Sequence, residues 1–360
     1  MKSKYIFRVL FSTMLGLIVS CSNDDDSSSS KLSPVTLEFE GLPNPNLPED
    51  NPLTTEGVEL GRRLFYEKAL SKDESISCAS CHAQTNAFSD TNQFSSGVGG
   101  AKGKRQAMAI FNMAWNNNQF FWDGRANLLR DQSIMPIQDH LEMNETLENV
   151  ILKLNDLPGY KDRFNSVFGT SEITSLNISL ALEQFMLSIV SNNSRYDKFK
   201  RGEITLTSSE ERGRKLFFDD YNKFFPNASG ADCAHCHSGA NFENNEYMNN
   251  GLDVLADQTD IGREGVTSDV MDKAKFKVTS LRNIELTPPY MHDGRLKTLD
   301  EVIEHYNSGI QLSPSVHPAL RDTEEEGLFL DTQDKKDLIA FLKTLTDNTL
   351  ATNPAYSNPF

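Results

Sequence analysis

Two pentapeptides carry the chemistry of this sequence: Cys78-Ala79-Ser80-Cys81-His82 and Cys233-Ala234-His235-Cys236-His237. Both read C-x-x-C-H, the attachment signature of a c-type haem. Two thiols at this spacing can add to the two vinyl groups of one porphyrin, and the histidine that follows supplies the proximal nitrogen to the iron. Two copies imply two covalent haems, one in each half, with His82 and His237 as iron ligands. Two cysteine pairs would also suit zinc, but zinc leaves the histidine directly after each second cysteine without a role. The fifth cysteine, Cys21, stands apart from both motifs. No pair is left over for a disulfide, so rigidity must come from packing, haem and a metal ion.

The elements that must hold these motifs are helical. The chain has 360 residues, enough for two ordinary domains, and 38% of them are hydrophobic, enough for a core in each. Thr54-Thr55-Glu56 reads as a helix cap, followed by Val58, Leu60, Leu64 and Phe65 at helical spacing. Residues 150–154, 180–190, 299–306 and 334–345 carry apolar side chains at the same period, and convincing strands are scarce. The chain also repeats itself. Gly61-Arg62-Arg63-Leu64-Phe65 precedes the first haem motif as Gly213-Arg214-Lys215-Leu216-Phe217 precedes the second. Asn112 leads to Trp122-Asp123-Gly124-Arg125 as Asn283 leads to His292-Asp293-Gly294-Arg295. The expected fold is mainly α, two tandem cytochrome c-like domains over residues 53–195 and 196–350, joined by a linker near 192–203. The formal charge of −16 excludes nucleic-acid binding and suits a surface that steers a basic redox partner.

The amino terminus reads as an address. Lys2, Lys4 and Arg8 flank an apolar run over residues 9–19, of signal-peptide length and too short for a stable membrane-spanning helix. The run closes on Ile18-Val19-Ser20-Cys21, which resembles a bacterial lipobox. That resemblance implies cleavage after residue 20 and a lipid anchor on Cys21. Residues 22–52, opening with Asp24, Asp25, Asp26 and a serine run, read as a flexible tether. The expected location is the periplasmic side of the envelope, at the outer membrane, with the acidic run similar to a surface-export signal.

The remaining motifs resemble those of the bacterial di-haem cytochrome c peroxidases, a family that includes the related oxidase MauG. The resemblance covers residues 52–345. It rests on both C-x-x-C-H sites, Phe121-Trp122-Asp123-Gly124-Arg125, residues 132–143, and Ser280-Leu281-Arg282-Asn283 through Pro289-Tyr290-Met291-His292-Asp293-Gly294-Arg295. It implies that hydrogen peroxide is reduced at the amino-terminal haem, with electrons from a small redox protein (a cytochrome c or a cupredoxin) relayed by the other haem. It further implies Glu142 as general acid–base, Gln132 as its distal companion, and Trp122 as the aromatic group between the haems. The two Asp-Gly-Arg turns would pair with haem propionates. A calcium ion would be held by Gln106 and the backbone carbonyls of Thr287 and Pro289.

Three positions depart from the family pattern. Gln106 stands where an asparagine is usual. No histidine occurs from Ala83 to Asp139, so the gating histidine of many members is missing, and the first haem is expected to be open in the oxidised protein. The glycine-rich stretch 97–103 in this region does not fit a phosphate motif and reads as a flexible distal loop. Fourteen residues after His292, where methionine is usual, stands Tyr306, as in MauG-like proteins. A phenolate there favours ferric iron and lowers the potential; Met291 and His305 are the alternative ligands. Two other functions remain open beside the peroxidase: a MauG-like oxidase of a protein substrate, and a non-catalytic electron-transfer cytochrome.

Overall fold

The computed structural model describes residues 32–360 apart from 324–326, and residues 32–360 form one compact unit. The signal-peptide and lipid-anchor readings, Cys21 included, lie outside the described residues. Helix α1 (Thr55–Tyr66) shows how local sequence builds the fold. Thr54 caps it by accepting from Gly57 N, Glu56 sits in the first turn and Arg63 in the last, and Leu60, Leu64 and Phe65 form the buried stripe. The longer helices that follow are α2 (Leu129–Gln138), α3 (Leu147–Asp156), α4 (Tyr160–Phe168), α5 (Ser175–Ser188), α6 (Arg195–Lys200), α7 (Ser208–Phe218), α8 (Leu299–Ser308) and α9 (Thr332–Lys343). Strand structure among the described residues is one antiparallel pair, β1 (Tyr247–Met248) with β2 (Phe276–Lys277), plus isolated bridges. The mainly α expectation holds. Among the described residues no helix is long and apolar enough to cross a membrane.

The duplication is physical as well as textual. Gly61 of α1 faces the Ala181 carbonyl of α5, and Gly213 of α7 faces the Asp337 carbonyl of α9; a Cβ at either position would collide with that carbonyl. The shared Gly-Arg-x-Leu-Phe motif is therefore a close helix–helix contact made twice. Asn112 and Asn283 both take positive φ, 52° and 58°. Asn112 N donates to Ile189 O at 2.9 Å and Asn283 N to Leu345 O at 3.0 Å, so each asparagine ties its half to the helix that closes it. Two hydrophobic clusters result. One gathers Leu60, Phe65, Phe88, Ile137 and Phe185, the other Tyr196, Phe217, Phe242, Ile303 and Phe341. Each large side chain buried in this way contributes about 1.5–3 kcal/mol.

Two features depart from simple tandem order. The segment 192–203, where the linker is expected, carries a short helix of its own. Ser194 and Asp197 form a capping box, α6 follows, and Tyr196 packs into the second cluster. The cause is Asp197, whose carboxylate is also gripped by Arg282 at 2.8 and 2.9 Å, with the pair almost wholly buried. At the other end, residues 350–356 return to the first half. Gln84 Nε2 donates to the carbonyls of Leu350 (3.0 Å) and Asn353 (2.8 Å), and Tyr66 OH donates to Tyr356 O (2.8 Å). Tyr356 OH in turn donates to Ser188 O at 3.1 Å.

Candidate functional site

Each C-x-x-C-H motif sits on one tight turn, α-helical over Cys78–Cys81 and 3₁₀ over Cys233–His235. All four cysteines are free thiols. His82 Nδ1 donates to Phe88 O at 3.1 Å, and His237 Nδ1 donates to Phe242 O at 3.2 Å. Both phenylalanines take positive φ, 57° and 55°, which turns their carbonyls back on the rings. With Nδ1 committed, the tautomer is set and Nε2 is the bare nitrogen, the arrangement a metal-ligating histidine needs. Burial lowers both histidines, His237 to about 4, so both rings are neutral. The two cysteine pairs do not converge: among the described residues no three His, Cys, Asp or Glu side chains are grouped to hold a metal ion. A shared zinc site is not built.

A cavity of about 790 Å³ opens beside the first motif, lined by Cys81, His82, Trp122, Gln132 and Glu142 among others, within the size range of cofactor pockets. Helix α2 brings in Gln132. Pro136 within it has no N–H for the Gln132 carbonyl four residues earlier, and the helix stops at Gln138. Asp139 then folds the chain back, its Oδ1 accepting from Leu141 N at 2.8 Å and its carbonyl from Glu142 N at 3.0 Å. Glu142 is thereby returned to the cavity that Gln132 lines. Burial and then the like charge of Asp139 push Glu142 above its ordinary range, with Arg125 opposing. Its carboxylate is also among the charges that raise the Cys78 and Cys81 thiols, after burial, which places it close to the first motif. A carboxyl raised in this way is suited to exchanging protons.

The glycine-rich stretch is pinned, contrary to the flexible loop expected. Val98 N donates to Glu142 O at 2.8 Å, and a Cβ on Gly97 would strike the carbonyls of Leu141 and Glu142. Gly97→Ala is therefore expected to cost about 1–3 kcal/mol and to displace the Glu142 segment. Denaturant unfolding, with Gly103→Ala as a control at a site with room for a Cβ, measures it.

Trp122 lies on the seam between the halves. Its Nε1 donates to Gln106 O at 2.8 Å, and its carbonyl accepts from Lys277 N in β2 at 2.8 Å. Gln106 N donates to His292 O at 2.8 Å, and His292 stacks flat on Phe276 with ring centroids 3.6 Å apart. Both Asp-Gly-Arg segments are turns, with Asp123 and Asp293 accepting from the backbone N of Arg125 and Arg295. The amide Nε2 of Gln106 is used within the protein, donating to Ser89 Oγ (3.0 Å) and Asp90 O (3.1 Å). Gln106 lines the cavity while Thr287 and Pro289 are not among its lining residues.

Around the second motif, Tyr306 of α8 and Met291 share one partner. The Asn250 amide donates to Tyr306 Oη at 3.3 Å and to Met291 Sδ at 3.2 Å. Burial pushes the Tyr306 phenol up to about 12, and Cys236 and Cys233 lie near enough to add to that rise. His305 is committed elsewhere, its Nε2 donating to Asn250 O at 3.0 Å. Of the three ligand candidates, Tyr306 and Met291 converge and His305 does not.

Charged residues of the cavity wall that sequence reasoning missed include Arg105, Glu243, Asp260 and Lys277. Arg105 bridges Asp123 and Asp260, each at 2.7 Å. Lys277 is buried, its Nζ donating to Gln119 O at 2.6 Å. In sequence, Lys275-Phe276-Lys277 alternates like a solvated strand, so nothing marked Lys277 as internal.

A family model described as di-haem cytochrome c peroxidase matches residues 55–205. The methylamine utilization protein MauG of Methylorubrum extorquens is 33% identical over 324 residues, 89% of this chain and 86% of that protein. Cytochrome c551 peroxidase of Nitrosomonas europaea is 33% identical over 297 residues, 82% of this chain and 81% of its own. The chain belongs to the di-haem cytochrome c peroxidase family. Among solved structures, a MauG-like protein associated with microbial copper homeostasis matches with a TM-score of 0.78 at 33% identity, over 89% of this chain and 98% of that one. The di-haem peroxidase BthA of Burkholderia thailandensis shares the fold, with a TM-score of 0.69. Membership in the family implies two c-type haems, and the residues fit them. Each motif offers two free thiols and a neutral histidine with a bare Nε2, and the first opens on a cavity of cofactor size.

Proposed function

We propose that this protein is a di-haem peroxidase that reduces hydrogen peroxide to water with electrons from a small redox protein, a cytochrome c or a cupredoxin. The observation that carries the reading is the meeting of Gln132 and Glu142 with His82 in one cavity. When bound, the haems supply the two electrons of the balance H₂O₂ + 2 H⁺ + 2 e⁻ → 2 H₂O. His82 and His237 would hold the irons through Nε2, the nitrogen left bare by the Nδ1 hydrogen bonds. The Glu142 carboxylate takes the proton from one peroxide oxygen and hands it to the other, which leaves as water instead of hydroxide. Gln132 orients the peroxide with its amide. Trp122, bonded to both halves, carries electrons across the seam. Tyr306, beside Asn250 and near Cys233 and Cys236, would serve as the second side-chain ligand of that haem. A calcium ion near Gln106, Thr287 and Pro289 and a lipid anchor on Cys21, holding the enzyme to the periplasmic side of the envelope, complete the proposal.

The test is steady-state peroxide turnover with a reduced cytochrome c, alongside an EPR spectrum of the oxidised protein. Rapid turnover and a high-spin first haem are expected, since no histidine between 83 and 139 can close it. A first haem with strong side-chain ligands on both faces in every redox state would leave only an electron carrier. Tyr306→Met is expected to raise the potential of the second haem. An unchanged potential and spectrum would remove Tyr306 as ligand.

A second reading, a MauG-like oxidase of a protein substrate, is favoured by Tyr306 and by the missing histidine. Slow donor oxidation, with oxidising equivalents that persist after peroxide is consumed, would select it.

A further inference from the structure

Because the halves repeat the same order of elements, each is a control for the other. Between α1 and the first haem motif the chain needs only residues 67–77. There Ala69 and Leu70 are buried and no large apolar side chain is exposed. The matching stretch between α7 and the second motif, residues 219–232, exposes Phe224 at 79% and Phe225 at 67%, beside the half-exposed Phe218. The shared architecture does not require this pair, and two neighbouring exposed phenylalanines mark a surface made for contact.

The loop that carries them is built. Its neck is closed by Ala231 N to Leu216 O (2.8 Å), Gly230 N to Asp220 O (2.9 Å) and Asp232 N to Asp219 O (3.1 Å). Asn222 orders the tip: its backbone N donates to Ser229 Oγ (2.9 Å) and its Oδ1 accepts from Phe224 N (3.0 Å). The neck ends directly ahead of Cys233, so the phenylalanines stand close in the chain to the second haem attachment. The surround is acidic. Asp219 and Asp220 are exposed at the neck, and Asp322 reaches Lys223 at 3.4 Å while staying largely exposed. Lys223 is the only lysine or arginine in the stretch 219–232, and its ammonium lies over the Phe224 ring, 5.6 Å from the centroid.

We infer that this loop is the docking surface for the electron-donating protein, with Phe224 and Phe225 as the apolar centre and Asp219, Asp220 and Asp322 as the rim. The inference rests on the peroxidase reading. The partner it fits is a small redox protein whose apolar cofactor edge is ringed by lysines. A second copy of this chain docked on the same loop would bring Asp219 and Asp220 against their own counterparts, and an anionic lipid surface would meet the same charge. In such a contact the rim sets the association rate and the buried aromatic centre sets the residence time.

The experiment uses holoenzyme and, as probe, a lysine-rich cytochrome c, with binding followed by surface plasmon resonance at low and near-physiological salt. Phe224→Ser with Phe225→Ser is expected to weaken binding by about tenfold or more, chiefly through faster dissociation, with the salt dependence kept. Asp219→Asn, Asp220→Asn and Asp322→Asn together are expected to slow association at low salt and flatten the salt dependence. Peroxide-dependent oxidation of a small artificial donor should be unchanged in both variants. Failure of the wild type to oxidise any donor would sink the peroxidase reading, while the binding measurement still decides the surface. Three results overturn the docking surface: no binding by wild type, unchanged affinity in the phenylalanine variant, or phenylalanine-dependent dimerisation or vesicle binding in place of cytochrome binding.

Discussion

Replacing Glu142 with Gln is expected to lower peroxide turnover by roughly 10²–10⁴-fold while both haems stay attached. Glutamine keeps the shape of the side chain and its place in the cavity, but it cannot accept the proton that must leave one peroxide oxygen. The pH profile gives the signature. Burial and the neighbouring Asp139 hold Glu142 above the ordinary carboxylate range, and the working form is the carboxylate. Wild-type turnover should therefore fall as pH drops through that raised value, and the variant's residual rate should lack this limb. Asp139→Asn removes the like charge, so the same limb should move to lower pH. Steady-state rates across the acidic range check all three curves. A variant with wild-type turnover would remove Glu142 from the reaction.

The largest stability effect is expected at the buried pair Arg282–Asp197. Asp197→Asn should cost about 3–5 kcal/mol, because it leaves a guanidinium buried beside a neutral partner. The side chains are 3% and 8% exposed, so water cannot make good the loss. Burial alone would raise Asp197, but the hydrogen bonds and charge of Arg282 override it and hold the carboxyl below its usual range. A carboxyl depressed in the folded state stabilises above its unfolded value, and that stability is lost as pH falls through the folded one. Wild type should lose this contribution in strong acid, and the variant should show no such loss. Guanidinium unfolding at neutral and acidic pH measures both. Arg282 also holds the Ala240 carbonyl at 2.9 and 2.6 Å, three residues beyond His237, so the second haem's spectrum should shift with the same substitution. Replacing both partners with apolar side chains is expected to be milder than replacing Asp197 alone.

Residues whose chemistry depends on short spacing were legible in the sequence. The two C-x-x-C-H turns, the capped start of α1 and the repeated Gly-Arg-x-Leu-Phe are local, and their geometry follows from neighbours a few positions away. The gathering of Gln132 and Glu142 was legible through family resemblance, while its cause, the fold-back at Asp139, is a turn that needs the structure. What stayed hidden depends on distant partners. Gly97 reads as a flexible residue until Leu141 and Glu142 are seen against it. Lys277 reads as solvated until Gln119 and Trp122 are placed beside it. The helix within residues 192–203 stayed hidden because Asp197 meets Arg282 only 85 positions further along the chain.

The return of residues 350–356 onto the first half has a consequence for how the protein comes to maturity. A chain exported amino terminus first presents the first haem motif before Leu350 and Tyr356 arrive to fasten that half. Attachment enzymes thus have a window in which Cys78 and Cys81 remain reachable. A fragment cut near residue 200 would stay in that unfastened state, and the two halves should assemble best when synthesised as one thread.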